Sequence, residues 1–174
     1  AGAAAVEVNT VVRLPAAEKH GMLFVRPKPM QPGESAEVDV DGNLGAIAPD
    51  LAALKLETYP MFSVDVVKPR INWKFAIDTF LEVYHVPHLH RKTIGPYFIG
   101  NVGTFDSAGL HGRMCVARTS IDAVRSLPEA ERNYRPHVIT IYQLFPNTIV
   151  IWQVDHIEIW RAFPGRDEPS HCEV

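Results

Sequence analysis

The stretch NWKFAIDTFLEVYHVPHLHRKTIG, residues Asn72–Gly95, combines a helical pattern with a cluster of ionisable side chains. Its apolar residues recur at spacings of three and four, which predicts one long amphipathic helix over Asn72–Tyr84. Pro87 disfavours helical backbone at the residue before it, so an end or a kink is expected there. The stretch therefore predicts a helix that carries polar chemistry at its C-terminal end.

Outside this stretch, strand patterns dominate. Three segments near the C-terminus are rich in Val, Ile, Thr and aromatic residues, and short turns separate them. The predicted strands are His137–Phe145, Thr148–Val154 and Ile157–Phe163, which form an antiparallel meander. One long helix beside many antiparallel strands predicts the α+β class, with the helix packed across a curved sheet. Such a sheet leaves room for an apolar pocket on its inner face.

Composition and charge exclude several classes of function. The chain has 174 residues, of which 47% are hydrophobic and 21% are charged, as is typical of a soluble globular protein. Its formal net charge of −3 predicts no binding to nucleic acid or anionic membranes. No apolar run approaches the roughly 18 residues that a membrane helix needs. The start, AGAAAVEV, lacks the features of a secretory signal, and the two cysteines form no CxxC pair, so a cytoplasmic location is expected.

The ionisable residues of the quoted stretch include three histidines, His85, His88 and His90. A neutral imidazole can donate a ring nitrogen to a metal, and a nearby carboxylate can ligate the metal or hold the imidazole tautomer. Two histidines and one carboxylate on one face of a metal form a mononuclear ferrous centre with positions open to oxygen and substrate. The alternative is structural, because histidines at a helix end can cap carbonyls and face water.

The spacing of the histidines leaves the ligand pair open. On a straight helix, residues five apart are rotated from each other by about 140°, so His85 and His90 could not share a metal. His85 and His88, three apart, could. If the helix breaks at Pro87, however, the following loop can bring His90 back towards His85. Geometry alone favours neither pair.

The same stretch is similar to the mononuclear iron motif of the α subunits of Rieske-type ring-hydroxylating oxygenases. That family shows NWK, an acid, then Glu or Asp, one residue, Tyr-His, four residues and a second His. The matching residues are Asn72-Trp73-Lys74, Asp78, Glu82, Tyr84-His85 and His90. The flanking stretches LPAAEKHGMLFVRPKP and QLFPNTIVIWQVDHIEIWRAFP resemble the end of the Rieske domain and the later sheet of the catalytic domain in these enzymes.

The resemblance implies a role for each matching residue. His85 and His90 would be the iron ligands. Glu82 would be the acid that links the iron site to a Rieske cluster in a neighbouring subunit. Tyr84 would pack beside the site, and Asp78 would support a histidine ring.

The resemblance also implies a fold and a domain organisation. The fold would be a helix-grip of the START and Bet v 1-like kind, with the sheet wrapped around a long helix. Residues 1–30 would be the terminal strands of a Rieske domain whose cluster-binding part is absent, and residues 31–60 a linker. Residues 61–174 would be the catalytic iron domain, truncated at its C-terminus.

The implied reaction uses Fe(II) and O2 to hydroxylate or demethylate a small apolar substrate, in the first place an aromatic one. Electrons would come from the Rieske [2Fe–2S] cluster of the intact protein, and ultimately from NAD(P)H through a ferredoxin or reductase. The α subunits would form a homotrimer. This chain contains no CxH…CxxH pair, so it holds no such cluster itself. The alternatives are a non-enzymatic hydrophobic-ligand-binding domain of the same fold and a zinc enzyme that uses the same histidines.

Two departures from the family pattern affect the site. Thr79 stands where the family often has Asn. The family's third ligand is an acid well beyond the histidines, and it is expected to lie beyond Val174. Asp155 in a predicted turn and Asp167 in the polar GRDEP loop are the nearest substitutes. The third ligand is assigned to neither.

Overall fold

The described residues form two compact units. The computed structural model describes residues 11–166 and 168–174, and the units adjoin in sequence at Pro60 and Met61. No helix in these ranges is both long and apolar enough to cross a membrane. The assignment of residues 1–30 to a Rieske domain, 31–60 to a linker and 61–174 to a catalytic domain stays a prediction.

The unit that ends at Pro60 contains a hairpin and two short helices. Its elements are β1 (Ala16–Lys19), β2 (Met22–Val25), α1 (Val40–Leu44) and α2 (Ala48–Leu54). His20 and Gly21 join the strands with φ of 53° and 72°, the positive values that a two-residue hairpin turn requires. The helices bury a small apolar cluster of Val40, Leu44, Ile47 and Leu51. The segment predicted as a linker is thus folded in its described form.

A five-stranded antiparallel sheet is the framework of the unit from Met61 to Val174. Its strands are β3 (Phe98–Ala108), β4 (His111–Arg118), β5 (Val138–Leu144), β6 (Thr148–Trp152) and β7 (Ile157–Arg161). Their spatial order follows the chain, and each strand pairs antiparallel with the next. The predicted meander over the last three strands and the α+β class are confirmed.

The helical part of this unit is short. The helices are α3 (Trp73–Thr79) and α4 (Val86–Leu89). Single 3-10 turns lie at Gly95–Tyr97, Thr119–Val124, Glu129–Glu131 and Arg135–His137. The prediction of one long helix over Asn72–Tyr84 is wrong, because the described chain leaves the helix after Thr79. The helix-grip arrangement, which depended on that long helix, stays a prediction.

Side-chain packing explains why α3 ends early. Leu81 and Val83 both pack against the hydrophobic core. Two positions apart on a helix, they would be rotated by about 160° from each other and could not share one face. Because the backbone after α3 is not helical, both side chains can contact the core. Thr79 also donates its hydroxyl to the carbonyl of Phe75 at 2.8 Å, a local bond that weakens helices.

One face of the sheet carries the buried cluster that includes helix α3, although β5 and β6 are buried on both faces. Alternate residues of neighbouring strands contribute to this cluster, as the two-residue period of a strand requires. The register places Met114 opposite Ile141 and Ile141 opposite Ile151. The buried cluster consists of Ala76, Ile77, Met114, Val116, Ile139, Ile141, Ile149, Ile151, Ala162 and Cys172. Helix α3 therefore lies on the sheet and contributes Ala76 and Ile77 to its core.

The C-terminal residues join the segment that precedes α3. Two short strands, β8 (Phe163–Pro164) and β9 (Cys172–Glu173), pair with each other. Val67 and Val174 exchange two backbone hydrogen bonds of 2.9 Å, and Lys68 forms an ion pair with Glu173 at 2.8 Å. These contacts hold the chain just before α3 in place.

Candidate metal centre

Helix α3 is held in place at its N-terminus by Asn72. The Asn72 side-chain oxygen accepts a hydrogen bond from the backbone N–H of Lys74 at 3.0 Å, which satisfies one of the free donors of the first turn. The Asn72 amide nitrogen donates to the carbonyl of Pro169 at 2.9 Å. One side chain thus caps the helix and ties it to the C-terminal part of the chain.

An aromatic contact holds the other end of α3. The rings of Phe80 and Trp160 lie with centroids 5.2 Å apart, inclined by 40°. The indole N–H of Trp160 donates to Glu158 Oε2 at 2.9 Å. Aromatic pairs in this geometry stabilise a fold beyond the area they bury. Trp160 on β7 therefore fixes the point at which the chain leaves α3 towards the histidines.

Glu82 holds the backbone and the ring of the first histidine together. Its Oε2 accepts a hydrogen bond from the backbone N–H of His85 at 3.1 Å, and its Oε1 forms a short hydrogen bond with His85 Nδ1. Desolvation raises the pKa of the Glu82 carboxyl, but the hydrogen bonds and charge of His85, with a backbone hydrogen bond from Tyr84, lower it by more, so the pKa lies below its ordinary value. Glu82 is therefore a carboxylate that orients the His85 ring.

The rings of His85 and His90 are in edge-to-face contact. Their centroids are 5.4 Å apart and their planes are inclined by 69°. His85 is the N-cap of α4 and His90 is its C-cap, where the backbone leaves helical geometry with φ of −101° and ψ of 20°. Four helical residues between the two caps thus bring rings five positions apart to the same place. The His85 side chain is 19% exposed.

Pro87 acts differently from the prediction. It was expected to end the preceding helix, but that helix already ends at Thr79. Pro87 lies in the first turn of α4 instead. A proline is tolerated there, because the N–H it lacks would have no partner within the helix. The prediction of a break at Pro87 is wrong. The rings of His85 and His90, which that break was expected to bring together, are nevertheless in contact.

His88 belongs to a different contact. Its ring lies 5.1 Å from the ring of Tyr84, inclined by 47°. Tyr84 is itself 67% exposed. The structure therefore pairs His85 with His90, and it places His88 on Tyr84. Of the two pairs that sequence geometry left open, only His85–His90 has its rings in contact.

Within the described residues, no hydrogen bond or ion pair joins Asp78 or Asp155 to the ring of His85 or His90. Asp78 is exposed, and no hydrogen bond joins its carboxylate to a histidine in the described part of the chain. Asp155 pairs with its neighbour His156 at 2.9 Å. Asp167 lies outside the described residues. The support of a histidine ring by Asp78 stays a prediction, whereas Glu82 makes that kind of contact.

The two rings fit one part of a metal site. With metal–nitrogen bonds of about 2.1 Å, two imidazoles on one ion would have centroids roughly 5 Å apart, close to the observed 5.4 Å. Glu82 occupies Nδ1 of His85, which leaves Nε2 for a metal. Within residues 11–166 and 168–174, no group of three or more His, Cys, Asp or Glu side chains is placed to hold an ion. The described chain thus brings together two histidine rings that would supply two ligands, and an acid that contacts one of them.

Two glycines near the histidines were not recognised as part of the site. Gly95 donates its N–H to the carbonyl of His90 at 2.8 Å, and Gly100 lies against the ring of Pro87. A glycine inside a strand pattern is the signal for such a close approach. The Gly-rich run after the histidines carried that signal, but sequence reasoning cannot say which element approaches.

Comparison with known families supports the motif. A family model described as "Ring hydroxylating alpha subunit (catalytic domain)" matches residues 50–174. The match covers the two-histidine segment and the whole five-stranded sheet. No curated protein sequence matches the chain.

Solved structures share the fold. A quaternary ammonium Rieske monooxygenase, CntA, in complex with an inhibitor, has a TM-score of 0.66 and 14% identity, over 92% of this chain and 39% of its own. A second structure, of a quaternary ammonium Rieske monooxygenase studied for carnitine oxidation by gut microbiota and inter-subunit electron transfer, has a TM-score of 0.66 and 13% identity, over 92% and 40%. The chain spans about two-fifths of the length of these structures.

Proposed function

Because this chain belongs to the family of ring-hydroxylating α subunits, within the catalytic domain, we propose that it forms the mononuclear iron domain of a Rieske-type oxygenase. In the whole protein this domain uses Fe(II) and O2 to hydroxylate or demethylate a small apolar substrate, in the first place an aromatic one. The fold shared with two Rieske monooxygenases supports the proposal.

The observation that carries the proposal is the contact of the His85 and His90 rings, with centroids 5.4 Å apart, together with the hydrogen bond of Glu82 to Nδ1 of His85. Histidine ligands commonly give their second ring nitrogen to a carboxylate, which fixes the tautomer and raises the basicity of the nitrogen that binds the metal. A histidine that only capped a helix would not need this arrangement.

We assign the metal-ligating role to His85 and His90. A ferrous ion bound there supplies the oxygen chemistry, with positions left open for O2 and substrate. Glu82 orients His85 and is the acid through which we propose that electrons enter the site. Tyr84 and Asp78 complete the site, Tyr84 through its contact with His88. The third ligand, a carboxylate by family likeness, is assigned to no residue of this chain.

The partners of the whole protein follow from the same proposal. Electrons come from a Rieske [2Fe–2S] cluster outside this chain, supplied from NAD(P)H through a ferredoxin or reductase. The α subunits assemble as a homotrimer in the cytoplasm, so that Glu82 lies near the cluster of a neighbouring subunit. Because Glu82 is 45% exposed, its carboxylate is open to such a neighbour.

The proposal is tested by anaerobic Fe(II) titration of the chain followed by metal analysis. We expect His85→Ala and His90→Ala each to lose iron binding, whereas His88→Ala, the matched control from the same helix, keeps it. Loss of binding in His88→Ala with binding retained in His90→Ala would contradict the assignment of the ligands. Selective retention of zinc over iron, with no oxygen uptake when reductant is added to the whole protein, would contradict the oxygenase.

A further inference from the structure

The chain that follows the two histidines folds back onto the helix between them. Gly95–Tyr97 form a 3-10 turn, and Phe98 begins β3. The N–H of Gly95 donates to the carbonyl of His90 at 2.8 Å, and the N–H of Thr93 donates to the same oxygen at 3.0 Å. The C-terminal end of α4 is thereby bound to the residues that come directly after it.

No side chain would fit at Gly95. A Cβ atom there would lie 2.9 Å from the carbonyl oxygen of His90 and 3.1 Å from that of Val86. Both atoms belong to the backbone of α4 and its cap, so neither can turn aside. The backbone at Gly95 therefore packs directly against the backbone of α4 and its C-cap His90, with no room for a side chain between them.

Gly100 makes the second close approach. A Cβ atom at this position would lie 3.1 Å from Cγ of Pro87, with two further ring atoms within 3.9 Å. The ring of Pro87 is closed onto the backbone of the first turn of α4, so it can change its pucker but cannot rotate away. Any side chain at Gly100 would therefore push on the helix rather than on a flexible neighbour.

A bulge in β3 brings Gly100 to Pro87. Phe98 pairs with Arg118, and Gly103 pairs with Val116. An advance of five residues along β3 therefore matches an advance of only two residues along β4. The extra residues leave the ladder, and Asn101 among them adopts a φ of 59°. Bulges of this kind bend a strand and redirect part of it towards a neighbouring element. Here the neighbouring element is α4.

We propose that the segment Gly95–Gly100 is a positioning element that sets the distance between the His85 and His90 rings. The two histidines are the opposite caps of α4, so a displacement of one end of this helix relative to the other changes the separation of the rings. A helix of four residues is too short to hold its own position and depends on tertiary contacts. Gly95 holds the His90 end, and Gly100 holds Pro87 near the His85 end. This inference rests on the proposed metal-ligating role of the two histidines.

The test uses Co(II) titration of the whole chain, read by the visible absorption of the bound ion. We expect Gly100→Ala to weaken Co(II) binding by about tenfold, the lower range for residues that orient metal ligands, and to change the shape of the absorption band. Pro87→Ala alone should weaken Co(II) binding by less than Gly100→Ala does, because it removes the contact with Gly100 without pushing on the helix. The double variant Gly100→Ala/Pro87→Ala should recover the binding of Pro87→Ala, because the added methyl group meets no ring.

Gly103→Ala is the matched control for general destabilisation of β3. Its Cβ atom would lie 2.9 Å from the carbonyl oxygen of Cys115 and would strain the sheet without touching α4. We expect this variant to unfold at a lower temperature, with an unchanged Co(II) band and affinity for the folded fraction. An unchanged affinity and band in Gly100→Ala would overturn the inference, as would failure of the double variant to recover.

The histidine variants separate this inference from the proposed function. If His85→Ala or His90→Ala binds Co(II) as tightly as the wild type, the proposed site is wrong and the inference falls with it. If both lose Co(II) while Gly100→Ala binds normally, the proposed site stands and only the positioning role of Gly95–Gly100 is overturned.

Discussion

The imidazole rings of His85 and His90 are 5.4 Å apart although five positions separate the two residues in sequence. On a continuous helix they would be rotated apart by about 140°. The conflict is resolved because His90 is no longer part of the helix: as the C-cap of α4, it has left helical geometry. The pairing of the two rings thus depends on where a helix of four residues begins and ends.

Glu82 should be required for the orientation of His85. Replacing Glu82 with Leu removes both hydrogen bonds that it accepts from His85, and we expect Fe(II) or Co(II) affinity to fall by about tenfold or more. Glu82→Gln keeps an acceptor oxygen but not the charge. Its metal affinity should therefore lie between that of the Leu variant and that of the wild type. Nitrogen NMR of the His85 ring would report the change of tautomer directly. Equal affinity in all three proteins would show that Glu82 does not act through His85.

Asn72 should stabilise the unit from Met61 to Val174 through its two hydrogen bonds. Asn72→Ala removes the N-cap of α3 and the bond to Pro169. We expect the free energy of unfolding, measured with urea, to fall by about 1 kcal/mol from the cap, with a further loss from the second bond. Asn72→Ser keeps a capping oxygen and should lose less. If Asn72→Ser and Asn72→Ala have the same free energy of unfolding, the loss of stability comes from the contact with Pro169.

The hairpin of β1 and β2 should loosen at acidic pH because of Asp41. Hydrogen bonds from Lys19 and then from His20 lower the pKa of the Asp41 carboxyl below its ordinary value of 3.8. The distances are 2.6 Å to Lys19 Nζ and 2.7 Å to His20 Nε2. A carboxyl whose pKa is lower in the folded state contributes stability above its ordinary pKa, and this contribution is lost as the pH falls through the lowered value.

Hydrogen exchange of the backbone amides of β1 and β2 measures this effect locally. We expect protection to be greater in the wild type than in Asp41→Asn at neutral pH, because the variant cannot form the charged pairs. The difference should disappear at a pH below the lowered pKa, where Asp41 is protonated in both states. A difference that persists unchanged at that pH would show that the carboxylate charge is not the cause.

The sheet was predictable from sequence because its signal is local. The segments around Ile141, Val150 and Ile159 are dense in β-branched residues, and turn residues separate them. Adjacent strands in the chain are adjacent in the sheet, so no long-range pairing had to be inferred. The strand β3 was harder, since its glycines and its bulge interrupt the pattern.

The helix was not predictable from periodicity alone. The spacing of Trp73, Ile77 and Phe80 fits one helical face. In the structure, Trp73 and Ile77 lie in α3 and Phe80 is its C-cap. The pattern gives no reason to stop at Thr79. The helix ends there because Leu81 and Val83 both pack against the core, and because Glu82 accepts hydrogen bonds from His85. Both causes lie outside the helix itself.

The sequence by itself determined the residue types of the candidate site, the α+β class and the meander, because each depends on a pattern within a few tens of residues. The resemblance in Asn72–Gly95 predicts the family to which the chain belongs. Spacing left the histidine pair open and the resemblance implied His85 and His90, but only the tertiary structure shows these two rings in contact, with Glu82 rather than Asp78 bound to one of them. These contacts depend on the position of α4. Strand β3 follows α4 in sequence and sets its position, because Gly100 lies against the ring of Pro87. Contacts between separate elements follow from packing in three dimensions, and one-dimensional spacing does not contain them.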